Sequence, residues 1–165
     1  MGLPPDLAGY WEQHVEETAA YWARVCARRE IDPALRPDAY PWQTVPIFSD
    51  LMLGLILHGG KRSTAHPMLL HEVEGTVPHE VGDYSIILDG FARPGCVIQT
   101  TSVEIKPFGD VDEAFAKAES EGGGTVRYWR VGHWAYLEDY CRVHGTEVSD
   151  ELPMVFEYFE LIDPS

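Results

Sequence analysis

A pair of glycines, Gly59 and Gly60, divides this chain into a part with helical spacing and a part with strand-like alternation. The apolar run before them, residues 51–58, predicts a buried helix, for which Asp50 is a candidate N-terminal cap. Glycine adopts positive φ without strain, so the pair predicts a helix end followed by a turn. The change of period at this point favours a chain that combines helices with a sheet.

A long amphipathic helix is predicted before this point, over residues 6–29, where apolar side chains recur at helical spacing. A linker that wraps without regular structure is predicted by the prolines that follow, Pro33, Pro37, Pro41 and Pro46. The sequence is therefore divided into an N-terminal helix with its wrap, residues 1–46, and a main domain, residues 47–165. Trp11 and Trp22 lie on the helix, so its outer face is also a candidate protein-docking surface.

Beyond Gly60 the pattern predicts strands mixed with helices. Strands are predicted over residues 64–73, 84–89, 96–105 and 154–162, the third being the richest in β-branched residues. Helices are predicted from Asp110 or Asp112 to the glycines at 122–124, and from Val126 to Gly145. No regular strand–helix–strand alternation is present, so the predicted class is α+β, with a small curved sheet or β-barrel surrounded by helices.

The charge balance restricts the partners. The chain has 165 residues, with 12 Lys and Arg against 27 Asp and Glu, and a formal net charge of −15. This length is enough for one sizeable core. Cationic surface supplies most of the affinity for duplex DNA and for anionic membranes, so the charge argues against both.

The cysteines and the N-terminal sequence predict the compartment. Cys26, Cys96 and Cys141 form no CxxC pair, so neither a zinc site nor a disulfide framework is predicted. No basic and apolar leader opens the sequence, which predicts a reduced, cytoplasmic location.

Lys61 and Thr64 follow the predicted helix end directly. An amine and a hydroxyl held together there bind a phosphate or carbonyl oxygen, or act as base and nucleophile. The segment is not a phosphate-binding P-loop, because the first glycine of that motif is missing. On an extended strand the two positions face opposite sides, so they meet only if the turn continues through Arg62 and Ser63. A solvated basic turn followed by an ordinary strand residue is the alternative interpretation.

Six short motifs occur in a fixed order along most of the chain. They are Gly59-Gly60-Lys61-Arg62-Ser63-Thr64, Val81-Gly82-Asp83, Cys96-Val97-Ile98-Gln99-Thr100-Thr101-Ser102-Val103, Lys106-Pro107-Phe108 with Asp112-Glu113-Ala114-Phe115, Ala116-Lys117-Ala118-Glu119 with Glu121-Gly122, and Tyr128-Trp129-Arg130 with His133-Trp134. Together they resemble the ASCH domain family, a branch of the PUA-like β-barrels, over about residues 48–162. Its longer members also carry an N-terminal tryptophan-bearing helix, which the helix with Trp11 and Trp22 resembles.

The resemblance implies a barrel pocket between the helix end and the acidic end of a second helix. ASCH domains were proposed to bind RNA; some members cleave single-stranded RNA, and others hydrolyse the amide of an acetylated cytidine nucleoside with a Lys, Thr and Glu set. Carried onto this sequence, the implied catalytic residues are Lys61, Thr64 and Glu119. Gly123 stands where the family often has aspartate, which argues against any mechanism that needs a third carboxylate, and Thr125 stands where a serine is usual.

Further side chains are candidates around this set. Desolvation could turn Lys61 into a base near neutral pH, or it could remain a fixed cation for a developing oxyanion. Glu119 and Glu121 could exchange a proton or hold Lys61 in place. The candidate substrate-binding residues are Arg62, Ser63, Glu121, Thr125, Tyr128 and Trp134. Trp129 is assigned to the core.

No metal or cofactor is expected from the sequence. Seven histidines are present, among them His66, His71, His79 and His133, and none has the spacing of a known metal-binding motif.

The leading functional hypothesis is a hydrolase that takes one modified pyrimidine nucleoside and opens an amide of the acetylated-cytidine type. The alternatives are a single-strand-specific ribonuclease and a non-catalytic module that binds RNA or a modified base. A net charge of −15 repels long RNA unless basic side chains are segregated, so the nucleoside ranks slightly higher. The expected partner is thus a nucleoside or a single-stranded RNA, and not duplex DNA or a membrane.

Overall fold

The computed structural model describes residues 5–43 and 45–164, and its side chains are described from residue 14 onward with the same gap. Within these residues the helices are α1 (Pro5–Arg29), α2 (Pro46–Gly54), α3 (Met68–Glu74), α4 (Glu113–Glu119) and α5 (Val126–Val143). The strands are β1 (Asp38–Pro41), β2 (Ser63–Pro67), β3 (Tyr84–Leu88), β4 (Pro94–Pro107) and β5 (Pro153–Asp163). A π-helical turn, Leu55–Gly59, follows α2, and a 3₁₀ turn, Phe108–Asp110, follows β4. The mixture confirms the predicted α+β class.

One five-stranded sheet has the order β1-β3-β4-β5-β2. β1 runs parallel to β3, β3 pairs with β4 as an antiparallel hairpin, and β2 pairs antiparallel with β5. The order begins at β1 and ends at β2, so these two are the edge strands of the described sheet.

The chain divides into two compact units, and each unit is built from several segments of the sequence. The first comprises Met1–Leu57, Tyr84–Gln99 and Leu161–Ser165, and the second comprises His58–Asp83 and Thr100–Glu160. Every candidate site residue belongs to the second unit, which is called the site unit below. The predicted division after residue 46 stays a prediction.

Each unit has its own apolar core. The buried core residues of the first unit are Tyr21, Trp22, Val25, Cys26, Ile86, Leu88 and Val97. Those of the site unit are Phe108, Val111, Phe115, Ala116, Trp129, Leu137, Cys141, Leu152, Met154 and Phe156. The assignment of Trp129 to the core is therefore confirmed.

The helix predicted over residues 6–29 is α1. Trp22 packs inside the first unit, and its indole N–H donates to the carbonyl of Leu35 at 3.2 Å. Its side chain is therefore not an exposed docking residue, and the side chain of Trp11 lies outside the described ones. None of the described helices is long and apolar enough to span a bilayer.

The strand predicted over residues 64–73 is wrong in its second half. β2 ends at Pro67, and α3 begins at the next residue. Proline has no N–H to continue the ladder, and the helix-forming side chains that follow it include a single β-branched residue, Val73. The proline therefore ends the strand and precedes the helix.

The helix predicted over residues 51–58 starts earlier, at Pro46. Asp50 lies inside α2 and does not cap it; its carboxylate accepts the backbone N–H of Gly90 at 2.8 Å. The run is also not uniformly buried, because Leu51 is 53% exposed whereas Met52 and Ile56 are buried. The proline-rich wrap contains one strand, β1.

The other predicted elements are confirmed. β3, β4 and β5 cover the last three predicted strands, and the N-terminal cap of α4 is Asp112, whose carboxylate accepts the N–H of Phe115 at 2.8 Å. α4 ends at Glu119, with Ser120 as its C-terminal cap before the predicted glycines, and α5 ends ahead of Gly145.

Candidate functional site

Backbone contacts fix the segment that carries Lys61. Gly60 has φ of 79°, so the chain turns away from the π-helical turn through a conformation that suits glycine. The N–H of Arg62 donates to the carbonyl of Ala118 at 2.7 Å, and its carbonyl accepts the N–H of Phe159 at 3.0 Å. The segment is thus held between the end of α4 and β5.

Lys61 is buried completely, with 0% of its surface exposed. Its ammonium donates to the carbonyl of Ser63 at 2.9 Å and forms an ion pair with the carboxylate of Glu121. The carboxylate of Glu119 lies 3.9 Å away, and the backbone carbonyl of Glu119 lies at 3.5 Å. The buried ammonium of Lys61 therefore has two carboxylates beside it, and a buried charge needs such partners because water does not solvate it.

Glu119 is also buried, with 1% exposed. One carboxylate oxygen, Oε1, accepts the backbone N–H of Ala65 at 3.2 Å. The other, Oε2, has no hydrogen-bond partner among the residues that the structure describes. Nε2 of His133 lies 3.5 Å from this oxygen.

His133 is the residue of this site whose part the sequence did not reveal. Its ring stacks on the indole of Trp129, with centroids 3.9 Å apart and an interplanar angle of 16°. Its Nδ1 lies 3.0 Å from the carbonyl of Trp129. A titratable side chain on the apolar stripe of a predicted helix needs a polar partner, and this requirement was the sequence signal that could have pointed to His133.

Thr64 and Ser63 occupy opposite faces of β2. Lys61 and Thr64 were expected to meet only if the turn continued through Arg62 and Ser63. The strand begins at Ser63, so this condition is not fulfilled. Ser63 is buried, and its hydroxyl donates to the carbonyl of Phe115 at 3.1 Å. Thr64 is half-buried and pairs across the ladder with Glu157.

The other candidate substrate-binding residues are spread through the site unit. Arg62 donates to the carbonyl of Lys61 at 2.6 Å. Thr125 caps α5, its hydroxyl accepting the N–H of Tyr128 at 3.3 Å. Tyr128 is 61% exposed, and its ring lies over the glycine loop that precedes α5. Trp134 packs edge-on against Phe108 at 5.8 Å, at the margin of the core.

A second polar group lies along β2. His66 and His71 meet through their Nε2 atoms at 2.9 Å, and Nδ1 of His79 lies 3.3 Å from the buried carboxylate of Glu157. Burial, with His71 beside it, lowers the pKa of His66 to about 4. In the described part of the chain, no three His, Cys, Asp or Glu side chains are arranged to hold a metal ion.

The central arrangement is a desolvated lysine between two carboxylates, with an imidazole on the far side of one of them. Such a set provides a fixed positive charge and a group that exchanges a proton, the two requirements for stabilising an oxyanion and moving a hydrogen.

Comparison with known proteins agrees with this architecture. The structure is similar to an ASCH domain from Lactobacillus crispatus JV V101, with a TM-score of 0.79 and 24% identity, covering 92% of this chain and 95% of that one. It is also similar to protein EF3133 from Enterococcus faecalis V583, with a TM-score of 0.80, 27% identity and 90% of each chain covered. Coverage of 92% must include most of the segment before residue 42. No curated protein matches the sequence.

The family follows from the sequence itself. Residues 42–163, well over half of the chain, match the family model described as the ASCH domain. These residues include all the candidate site residues and every strand except β1 in full. The chain therefore belongs to the ASCH domain family.

Proposed function

We propose that this ASCH domain hydrolyses an amide on a modified pyrimidine nucleoside, of the acetylated-cytidine type, at the Lys61–Glu119 site. The observation that carries the proposal is the complete burial of a lysine beside two carboxylates. A buried ion pair contributes little net stability compared with apolar residues of the same size, so its presence favours a chemical role.

Lys61 acts in this proposal as a fixed cation. Its ammonium donates to the carbonyl of Ser63 and is ion-paired with Glu121, and these contacts argue against the lysine as a base. A stationary ammonium stabilises the negative charge that develops on a carbonyl oxygen as the amide is attacked.

Access to Lys61 passes Glu121. The lysine has no exposed surface, whereas the side chain of Glu121 remains 32% exposed. A substrate carbonyl reaches the ammonium only when the Glu121 carboxylate moves aside. Glu121 is therefore proposed to occupy the oxyanion position until the substrate displaces it.

Glu119 is the proton-transferring group. Its carboxylate accepts the N–H of Ala65, the residue that follows Thr64, and Glu119 is therefore proposed to serve a hydroxyl at Thr64. In the proposed step, water or the Thr64 hydroxyl attacks the acetyl carbon and gives its proton to Glu119. The C–N bond then breaks, and Glu119 returns the proton to the leaving nitrogen; water releases acetate from any acyl-threonine intermediate.

Cleavage or binding of single-stranded RNA is the second candidate function. The exposed ring of Tyr128 at the glycine loop favours it, since an exposed aromatic face stacks on a base. The net charge of −15 opposes it, because a polyanion is repelled over a longer distance than a nucleoside.

The test incubates purified protein with N4-acetylcytidine and, separately, with a single-stranded RNA in EDTA. Lys61→Ala and the control Lys117→Ala are assayed alongside, the latter removing an exposed lysine from α4. Acetate release that Lys61→Ala abolishes and Lys117→Ala retains supports the proposal. RNA fragments with the same dependence support the ribonuclease instead. If the folded wild type forms neither acetate nor RNA fragments, the hydrolase proposal is overturned, and a non-catalytic binding module is the function that remains.

A further inference from the structure

Glu119 Oε2 is a buried acceptor that lacks a hydrogen bond within the described residues. An isolated ionised oxygen in such a place is costly, so it implies a proton or a donor nearby. Nε2 of His133 lies 3.5 Å from it. The protonation of this nitrogen therefore decides whether the pair attracts or repels.

The second ring nitrogen of His133 settles its tautomer. Nδ1 lies 3.0 Å from the carbonyl oxygen of Trp129, and a carbonyl only accepts, so Nδ1 carries a hydrogen. In a neutral ring Nε2 would then present a lone pair to a carboxylate oxygen. One extra proton removes this conflict, either as an imidazolium at His133 or as a carboxylic acid at Glu119.

The net charge of the cluster also favours one additional proton. The charged groups facing Glu119 are Lys61, from the segment before β2, and His133, from α5; Glu121, from the loop after α4, contacts Lys61. With His133 neutral, one ammonium and two carboxylates leave a net charge of −1. One additional proton brings this largely desolvated set to zero, which burial favours.

We propose that Glu119 and His133 hold one proton between them at neutral pH, carried in the resting protein by Nε2 of His133, with His133 as a positioning residue that keeps Glu119 ready to exchange protons. The proposal deepens the hydrolase function and rests on it for its catalytic meaning. While the shared proton is on His133, Glu119 is a carboxylate and accepts the proton of the attacking group. That proton leaves with the amine, and the shared proton stays in the pair.

The protonation itself is tested by NMR on ¹⁵N-labelled full-length protein at pH 7, by observing both ring nitrogens of His133. We expect a protonated Nδ1 and an Nε2 resonance displaced far from that of a bare nitrogen. In Glu119→Gln the Nε2 resonance should move towards the bare value. A bare Nε2, or a bare Nδ1, in the wild type overturns the proposal. The wild-type spectrum decides alone, so a poorly folded variant does not suspend the test.

The positioning role is tested with His133→Gln, which retains an N–H donor on α5 but has no titrating group. We expect kcat at pH 7 to fall about tenfold or more with KM within about twofold, and the pH profile of kcat to change shape. An unchanged pH profile overturns the role. If the wild type releases no acetate, the proposed function is overturned. The NMR experiment does not depend on turnover, so it tests the shared proton separately.

Discussion

The ammonium of Lys61 lies 3.9 Å from the Glu119 carboxylate, and both side chains are excluded from solvent. Neither charge is stabilised by water, so each depends on the other, and the ammonium depends also on the Glu121 carboxylate. This mutual dependence makes the pair sensitive to one-sided substitution and tolerant of paired substitution.

The first prediction concerns that asymmetry. Lys61→Met should lower the free energy of unfolding by about 3 kcal/mol or more, because two carboxylates lose their buried cation. The double variant Lys61→Met with Glu119→Gln should recover part of the loss. Urea unfolding at pH 7 measures both, with Lys117→Met as the exposed control; a double variant less stable than the single one would contradict the coupling.

The second prediction separates capping from substrate binding at Thr125. Because its hydroxyl accepts the N–H of Tyr128, Thr125→Ala should destabilise the protein by about 1 kcal/mol, whereas Thr125→Ser should retain most of the stability. Thermal unfolding gives the stability and a substrate titration gives KM. A raised KM with unchanged stability would assign Thr125 to the substrate instead.

The third prediction is a pH dependence that arises at His66. The pKa of His66 is about 4 in the folded state, below its ordinary value of 6.5. Between these values the imidazole is protonated in the unfolded chain and neutral in the folded protein. The free energy of unfolding therefore decreases as pH falls from about 6.5 towards 4. The slope attributable to this residue is at most about 1.4 kcal/mol per pH unit.

Urea midpoints at pH 7.5, 6 and 5 measure this slope. His66→Gln retains a hydrogen-bonding group beside His71 but does not titrate, so its stability should vary less with pH. His58→Gln, at an exposed position in the same unit, is the control and should follow the wild type. Equal slopes for His66→Gln and the wild type would show that His66 does not titrate in this way.

The fourth prediction concerns Asp163, the end of β5. Its buried carboxylate accepts from the guanidinium groups of Arg28 at 2.5 Å and Arg29 at 3.3 Å, both on α1. Asp163→Asn removes the negative charge that strengthens these bonds and replaces one accepting oxygen by an amide nitrogen, and it should cost about 1.5–3 kcal/mol. Chemical unfolding measures the loss, and Glu160→Gln, an exposed change on the same strand, should cost little; equal losses would place the effect elsewhere.

Local chemistry made much of the fold predictable. Asp112 begins α4 as a cap, Gly60 turns the chain after the helical run, and the β-branched run became the long strand β4. The failures were also local. Pro67 was taken as part of a longer strand although it cannot donate to the ladder, and Asp50 was taken as a cap although Pro46 already suits a helix start.

The candidate site was only half predictable. The motifs identified Lys61 and Glu119, and the structure places these two together. Thr64 does not join them through a continued turn, since β2 begins at Ser63. His133 was visible only as a histidine on an apolar stripe, because its partner depends on how α5 packs against the end of α4.

The sequence alone determined the α+β class and the family and offered the candidate site residues, because backbone preferences and motifs act over a few neighbouring positions. Only the tertiary structure decided that Lys61 is wholly buried, that its partners lie 58 and 60 residues away, and that His133 lies beside Glu119. Desolvation and ion pairing depend on which distant segments pack together, and spacing along one chain does not specify that packing.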